Sequence, residues 1–200
     1  MCDSPWRNHI TADDYERHMA STGQPQANAD LLAELFRDHT PTPGAAVLFA
    51  GAGTGQIFDH FAPAVLADYR VTCTDINPAY LLRLTARYEC ATATDDIESP
   101  VLRGPFDLAI VTLVLEHVDW RRAVAGLCGM AARVFIVIQE DPPGSIARPL
   151  EGTLAGLRSH LLDRGELIAQ FREGAFDLLR TSVREVRDGK TMVGLDFTRR

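Results

Sequence analysis

The 200-residue sequence lacks the features that mark several large classes of protein. Its four cysteines, Cys2, Cys73, Cys90 and Cys128, form no CxxC pair and stand at no zinc-like spacing from histidine, so neither a disulfide framework nor a metal site is expected. Three of them lie in apolar runs and read as small buried hydrophobes in a reducing compartment. No apolar run approaches the roughly 20 residues that cross a bilayer, and the opening M-C-D-S-P-W-R-N-H-I lacks the apolar core of a signal peptide. A cytoplasmic location with no membrane partner is therefore expected. Positive charge is also short: 20 Lys and Arg face 27 Asp and Glu, a net charge of −7, with no basic stripe to displace counterions from a polyanion. Nucleic acid is thus not the expected partner; a small molecule is. There is no internal repeat and no low-complexity tract, and nothing in the sequence specifies an oligomeric state.

What is present is an ordinary globular composition, 46% hydrophobic and 24% charged, in a length that fits one domain. From about Ala45 onward strand-like and helix-like segments alternate, the pattern of an α/β fold with helices on both faces of a mostly parallel sheet. Four apolar runs carry the strands: A45-A-V-L-F-A50, Y69-R-V-T-C-T74, F106-D-L-A-I-V-T112 and R133-V-F-I-V-I138. The first and last are nearly continuous, as expected of strands buried on both faces. Tyr88 to Ala93 is a weaker fifth candidate. Helices are predicted over Gln56–Ala67, Pro78–Arg87 and Asp119–Met130.

The flanks read differently. T11-A-D-D14 has capping-box spacing and opens a helix that sets Tyr15, His18 and Met19 on one face. A second helix follows from Pro25 to Asp38, and the stiff tract T40-P-T-P-G44 ends it. D163-R-G-E166 opens another helix with Leu167, Ile168 and Phe171 on its apolar side, and Phe176 to Thr198 reads as a β-hairpin turning at D188-G189. The expected organisation is a single domain over 1–200. Residues 1–40 form a helical cover, 45–140 the cofactor-binding core, 141–162 a cover for the acceptor site, and 163–200 a helix and hairpin completing the sheet.

The strongest local signal is A50-G-A-G-T-G55, directly after the first strand. Glycine supplies positive φ for a tight turn and lets a ligand lie against backbone N–H groups, although a plain structural turn uses glycine too. The register is G-x-G-x-G with Gln56 in sixth place, unlike the G-x-G-x-x-G/A of dinucleotide sites, and no G-K-[ST] makes it a P-loop. Asp75, ending the second strand about twenty positions later, can accept from both hydroxyls of a ribose or can cap the following helix.

The ordered series V47-L-F-A-G-A-G-T-G55, V71-T-C-T-D-I-N-P-A-Y-L81, A93-T-D-D-I97 and G104-P-F-D-L-A-I-V-T-L-V-L-E-H-V118 resembles the motifs of the class I S-adenosylmethionine-dependent methyltransferases, particularly the small-molecule subset labelled type 11 or 12. That resemblance implies a Rossmann-like sheet closed by an antiparallel C-terminal hairpin strand. It also implies S-adenosyl-L-methionine as cofactor and S-adenosyl-L-homocysteine as product. By the same resemblance Gly51, Ala52 and Gly53 form the cofactor loop, Asp75 holds the ribose, and Ile76 packs on the adenine. Asp95, Asp96 and Ile97 meet the adenine amino group and ring, and Thr112 and Leu113 line the methionine portion. One position departs from the pattern. The family's acid two residues before the first glycine is Phe49 here, so either another polar group substitutes, for instance from the N-terminal helix, or cofactor binding is poor.

His117, just past the fourth strand at the carboxyl edge where ligands of open α/β folds collect, is the candidate general base; it also reads as a hydrogen-bonding residue at the helix start or a packing residue beside the cofactor. Glu116 reads as favouring that helix N-terminus. Glu140 and Asp141 follow the fifth strand and face the same edge, though acids before P142-P143 also read as ordinary loop residues, and Tyr15, His18, Met19 and Glu140 are candidate walls of the substrate pocket. Two other functions compete with transfer of a methyl group to a small molecule: a non-catalytic binder of the same cofactor, motivated by Phe49, and a nicotinamide-dependent oxidoreductase, disfavoured by Gln56.

Overall fold

Seven strands pair into one sheet in the computed structural model, which describes residues 4–38, 42, 44–61, 63–142, 144, 150–157 and 159–200. The strands are β1 (Ala45–Ala50), β2 (Tyr69–Asp75), β3 (Ala91–Thr94), β4 (Phe106–Thr112), β5 (Ala131–Glu140), β6 (Phe176–Glu185) and β7 (Thr191–Arg199), ordered β3-β2-β1-β4-β5-β7-β6. The first five are parallel, and β7 runs antiparallel to both β5 and β6. The chain order reverses between β1 and β4, and that gap at the carboxyl ends is where open α/β sheets receive ligands.

Among the described residues six α-helices flank the sheet: α1 (Pro5–Asn8), α2 (Ala12–Thr22), α3 (Gln24–Asp38), α4 (Pro78–Thr85), α5 (Trp120–Met130) and α6 (Arg164–Glu173). The period of two along the strands divides the core. Leu48, Ala50, Ala109, Val111, Val134 and Ile136 pack with α5 and α6, while Val47, Phe49, Leu108, Ile110, Phe135 and Val137 pack with α3. Phe49 therefore faces the N-terminal helices.

The helix expected over Gln56–Ala67 is instead two short 3-10 turns, Gln56–His60 and Pro63–Val65. Pro63 has no N–H for the carbonyl of Asp59 and its ring would press on that carbonyl, so an α-helix cannot continue through it. Phe61 turns extended and meets Phe36 of α3 edge-on at 5.6 Å. The fifth strand candidate is β3, displaced to Ala91–Thr94. The capping box at α2 is half formed: Thr11 accepts from the Asp14 N–H at 3.2 Å, but Asp14 turns its carboxylate to the Thr153 N–H and hydroxyl, both at 2.8 Å. The second half of the box thus ties residues 150–157 to α2. Most of T40-P-T-P-G44 and of the 142–149 segment, and Cys2, lie outside the described residues. Cys73, Cys90 and Cys128 form no disulfide, and the Cys90 thiol donates to Cys73 Sγ at 3.7 Å.

Candidate functional site

The glycine loop leaves β1 with Gly51, Gly53 and Gly55 all at positive φ, 72°, 58° and 79°. A Cβ at Gly51 would meet Val114 Cγ2 at 2.4 Å, and one at Gly53 would meet the Tyr15 hydroxyl at 2.7 Å, so both positions need glycine twice over. The loop is pinned to β2. Ala52 N–H donates to the Thr74 carbonyl at 2.8 Å, and Gly53 N–H donates to Asp75 Oδ2 at 2.9 Å. Asn77 N–H donates to the other Asp75 oxygen, also at 2.9 Å. Burial pushes the Asp75 carboxyl up to about 6, against the pull of the Asn77, Gly53 and Ile76 N–H groups. Asn77 itself caps α4 by accepting from Ala79 N–H, so the capping role left open for Asp75 belongs to Asn77.

β3 sets a second acid beside the first, since Asp95 N–H donates to the Asp75 carbonyl at 3.0 Å. The Asp95 carboxylate accepts from the N–H groups of Asp96, Val101 and Leu102 and so shapes the loop after β3. Asp96 lies 3.5 Å from Arg7 of α1. Ile76 is half-buried, and Ile97 packs toward the α5 side of the core.

At the end of β4, Leu113 adopts φ 56°, a left-handed conformation that costs a branched residue roughly 1–2 kcal/mol. Its N–H still donates to the Val137 carbonyl at 2.9 Å, but the chain then turns away from β5. Glu116 replaces the missing ladder partner: its Oε1 accepts from Gln139 N–H at 3.0 Å, while Oε2 is buried with no partner. Burial raises this carboxyl to about 7. Glu116 is thus a buried strand-end ligand and not the helix-terminus charge expected from sequence. His117, beside it, packs against the Trp6 ring at 4.8 Å, and burial, then His160 and His18, lower it to about 4. Its Nδ1 is buried and unpaired.

The N-terminal elements close over this edge. Tyr15 stacks on Tyr80 with ring centroids 5.1 Å apart and meets Trp6 edge-on. The Tyr80 hydroxyl donates to the Ile10 carbonyl, and Asn77 Nδ2 donates to that of Trp6. Arg83 reaches Asp13 at 2.6 Å and Glu16 at 3.3 Å, joining α4 to α2. His18 is half-buried, its pKa lowered by burial and then by Lys190. Glu140 is gripped by both nitrogens of an Arg164 fork at 2.8 and 2.6 Å, which turns it toward α6.

A cavity of about 30 Å³ lies beside the loop, bounded by Gly51, Ala52, Thr112, Tyr15 and Met19 together with Phe49, Asn28 and Gln56. Phe49 fills one wall, edge-on to Phe58 at 5.0 Å. Five expected site residues therefore meet in one place, and Gly53 and Asp75 adjoin it. Asn28, Gln56, Val114 and Trp6 were not singled out as site residues. Asn28 carried a signal: it shares the α3 stripe of Leu31, Leu32 and Leu35, where an amide is out of place. Buried, unpartnered polar atoms gather at this edge, among them Trp6 Nε1, Asn28 Oδ1, Thr54 Oγ1, Gln56 Oε1, Glu116 Oε2 and His117 Nδ1. Such atoms are rare in folded proteins and mark a place where ligand groups complete the bonding. A glycine cradle beside a buried carboxylate, whose two oxygens keep further lone pairs, fits a ribose-bearing ligand. Among the described residues no group of His, Cys, Asp and Glu could hold a metal ion.

Solved structures with this fold are numerous. The chain resembles magnesium protoporphyrin IX methyltransferase from Synechocystis PCC 6803 with bound S-adenosylhomocysteine, with a TM-score of 0.68 and 18% identity over 88% of this chain and 83% of that one. A TehB-like S-adenosylmethionine-dependent methyltransferase from Corynebacterium glutamicum gives 0.63 and 18%, covering 94% and 98%. The 1,6-didemethyltoxoflavin-N1-methyltransferase of Burkholderia thailandensis gives 0.64 and 18%, covering 94% and 86%. The fold is the Rossmann-like fold of the class I methyltransferases. Residues 48–134 match the model of the methyltransferase domain family, and no curated protein sequence matches the chain. The matched stretch is 87 of the 200 residues, and over the rest of the chain the likeness to these methyltransferases is one of fold.

Proposed function

We propose that the protein transfers the methyl group of S-adenosyl-L-methionine to a small-molecule acceptor, releasing S-adenosyl-L-homocysteine. The carrying observation is the buried Asp75 carboxylate at the carboxyl edge, held by the Gly53 and Asn77 N–H groups with lone pairs left for two ribose hydroxyls. Gly51, Ala52 and Gly53 would lie against the cofactor, Ile76 and Ile97 beside the adenine with Asp95 and Asp96 at its amino group, and Thr112 and Leu113 along the methionine portion. The bound sulfonium supplies an already reactive methyl group. What this chain adds is alignment and exclusion of water: Tyr15, Trp6 and Met19 cover the edge, and Tyr15 and Val114 withdraw from the glycines to admit the ligand.

His117, the candidate general base, is proposed to meet the methyl acceptor. At neutral pH its imidazole is uncharged with Nδ1 unpaired, but so low a pKa suits hydrogen bonding to the acceptor better than taking a proton from an alcohol. Tyr15, His18 and Met19 serve as acceptor walls in this reading. Glu140 does so only if Arg164 releases it. A small-molecule acceptor is supported by the net charge of −7. A cytoplasmic location belongs to the same proposal. Calorimetric titration with S-adenosylmethionine, S-adenosylhomocysteine and NAD tests it: micromolar or tighter binding of the adenosyl ligands and no heat with NAD is expected, and binding of NAD alone refutes it.

A further inference from the structure

The walls of the cavity beside the loop carry no acid and no base. Two of its lining residues nevertheless end in buried carbonyl oxygens that accept no hydrogen bond, Asn28 Oδ1 and Gln56 Oε1. Asn28 is only 3% exposed and stands among leucines on the face of α3 that packs on the sheet. Gln56 comes from the turn after the glycine loop, and its Nε2 is committed to the Glu16 carbonyl at 3.1 Å, leaving the oxygen as the free end of the amide. An unpartnered amide oxygen in an apolar wall loses its hydration with no compensation, so two in one small cavity are a poor packing solution. They make sense as acceptors for a ligand.

The chemistry of that ligand follows from the walls. Both groups present the negative end of a dipole, so a carboxylate or phosphate is repelled, and a donor with several N–H bonds and a positive charge is drawn in. Phe49, Met19 and Ile57 exclude water around it. We infer that Asn28 and Gln56 form a neutral receptor for the α-ammonium group at the methionine end of the cofactor. This rests on the reading that S-adenosylmethionine binds at the glycine loop. The cavity is bounded by Gly51, Ala52 and Thr112, so a ligand lying along the loop and the end of β4 reaches it. α3 and Gln56 thereby supply a cation-binding group on a site where position 49 presents only a hydrocarbon ring.

The test is calorimetric titration of the whole protein with S-adenosylhomocysteine and with 5′-methylthioadenosine, which keeps the nucleoside and lacks the amino-acid tail. Asn28→Leu should weaken S-adenosylhomocysteine roughly ten- to hundredfold and leave methylthioadenosine unchanged. Because it removes an unsatisfied buried group, it should melt at or above the wild-type temperature. Gln56→Met should also weaken only the tailed ligand, and Asn28→Asp should keep or tighten its binding. Equal loss of both ligands in Asn28→Leu, or no loss of either, overturns the inference while the cofactor reading stands. Failure of the wild-type protein to bind either ligand overturns both.

Discussion

Gly53 and Asp75 are joined by a 2.9 Å hydrogen bond from the glycine N–H to a carboxylate that is 8% exposed. One contact fixes the loop after β1 to the end of β2 and points the acid along the ligand edge. Asp75→Ala should lower S-adenosylhomocysteine affinity by about 1–3 kcal/mol, the worth of a buried charged acceptor. Calorimetry checks it, with circular dichroism confirming the fold. Unchanged affinity in a folded variant removes Asp75 from the ribose.

Gly51 and Val114 are the second tight pair. Gly51→Ala forces a side chain onto φ 72° and into Val114 Cγ2, and should cost about 1–3 kcal/mol in urea unfolding. Adding Val114→Ala relieves the collision but not the backbone strain. The double variant should therefore be more stable than the sum of the single effects, and strict additivity would show that the two residues do not touch.

Glu116 ties stability to pH. Its carboxyl titrates near 7 in the fold against an ordinary value of 4.5. The stability linked to its retained proton is full below about pH 4.5 and is lost as pH rises through about 7. Glu116→Gln keeps the acceptor for Gln139 N–H and never ionises. It should exceed the wild type by about 1–3 kcal/mol near pH 8 and match it near pH 4, read from denaturant midpoints. A constant offset at both pH values would count against a buried proton. His117 acts in the opposite sense: its contribution is present above about 6.5 and is lost as pH falls toward about 4.

Far from the site, Arg133 holds Asp196, whose side chain is 2% exposed, through Nε at 2.7 Å and a second nitrogen at 2.5 Å. This pair joins β5 to β7. Arg133→Met should cost about 3–5 kcal/mol by leaving a buried charge uncompensated, and Asp196→Leu in the same chain should recover most of it. Thermal melting distinguishes this from a packing loss, which the second substitution would not repair.

The elements that follow from a local pattern were legible in the sequence. Apolar runs marked β1, β2, β4 and β5, side-chain caps marked α2 and α6, and the alternation of Val193, Leu195 and Phe197 marked β7. The turns at Gln56–His60 and Pro63–Val65 were not, because apolar spacing suggested a helix and Pro63 outweighed it. The site divided in the same way. Gly51, Gly53 and Asp75 announce themselves by chain position, since a turn and a strand end are local events. Glu116 did not: only the left-handed Leu113 makes a carboxylate necessary beneath Gln139. Asn28 was visible as an amide in a leucine stripe, but its meaning depends on Gln56, 28 positions away, and on a ring at Phe49.

The place of β7 between β5 and β6 bears on how the chain comes together. β6 is made before the one strand it bonds to, so on a growing chain it has no seat in the sheet, and β5 has only β4 beside it. The five parallel strands and their ligand edge can assemble in order of synthesis. The far third of the sheet closes only when β7 slots in, and until then the flank of β5 is an unpaired strand edge open to the wrong partner.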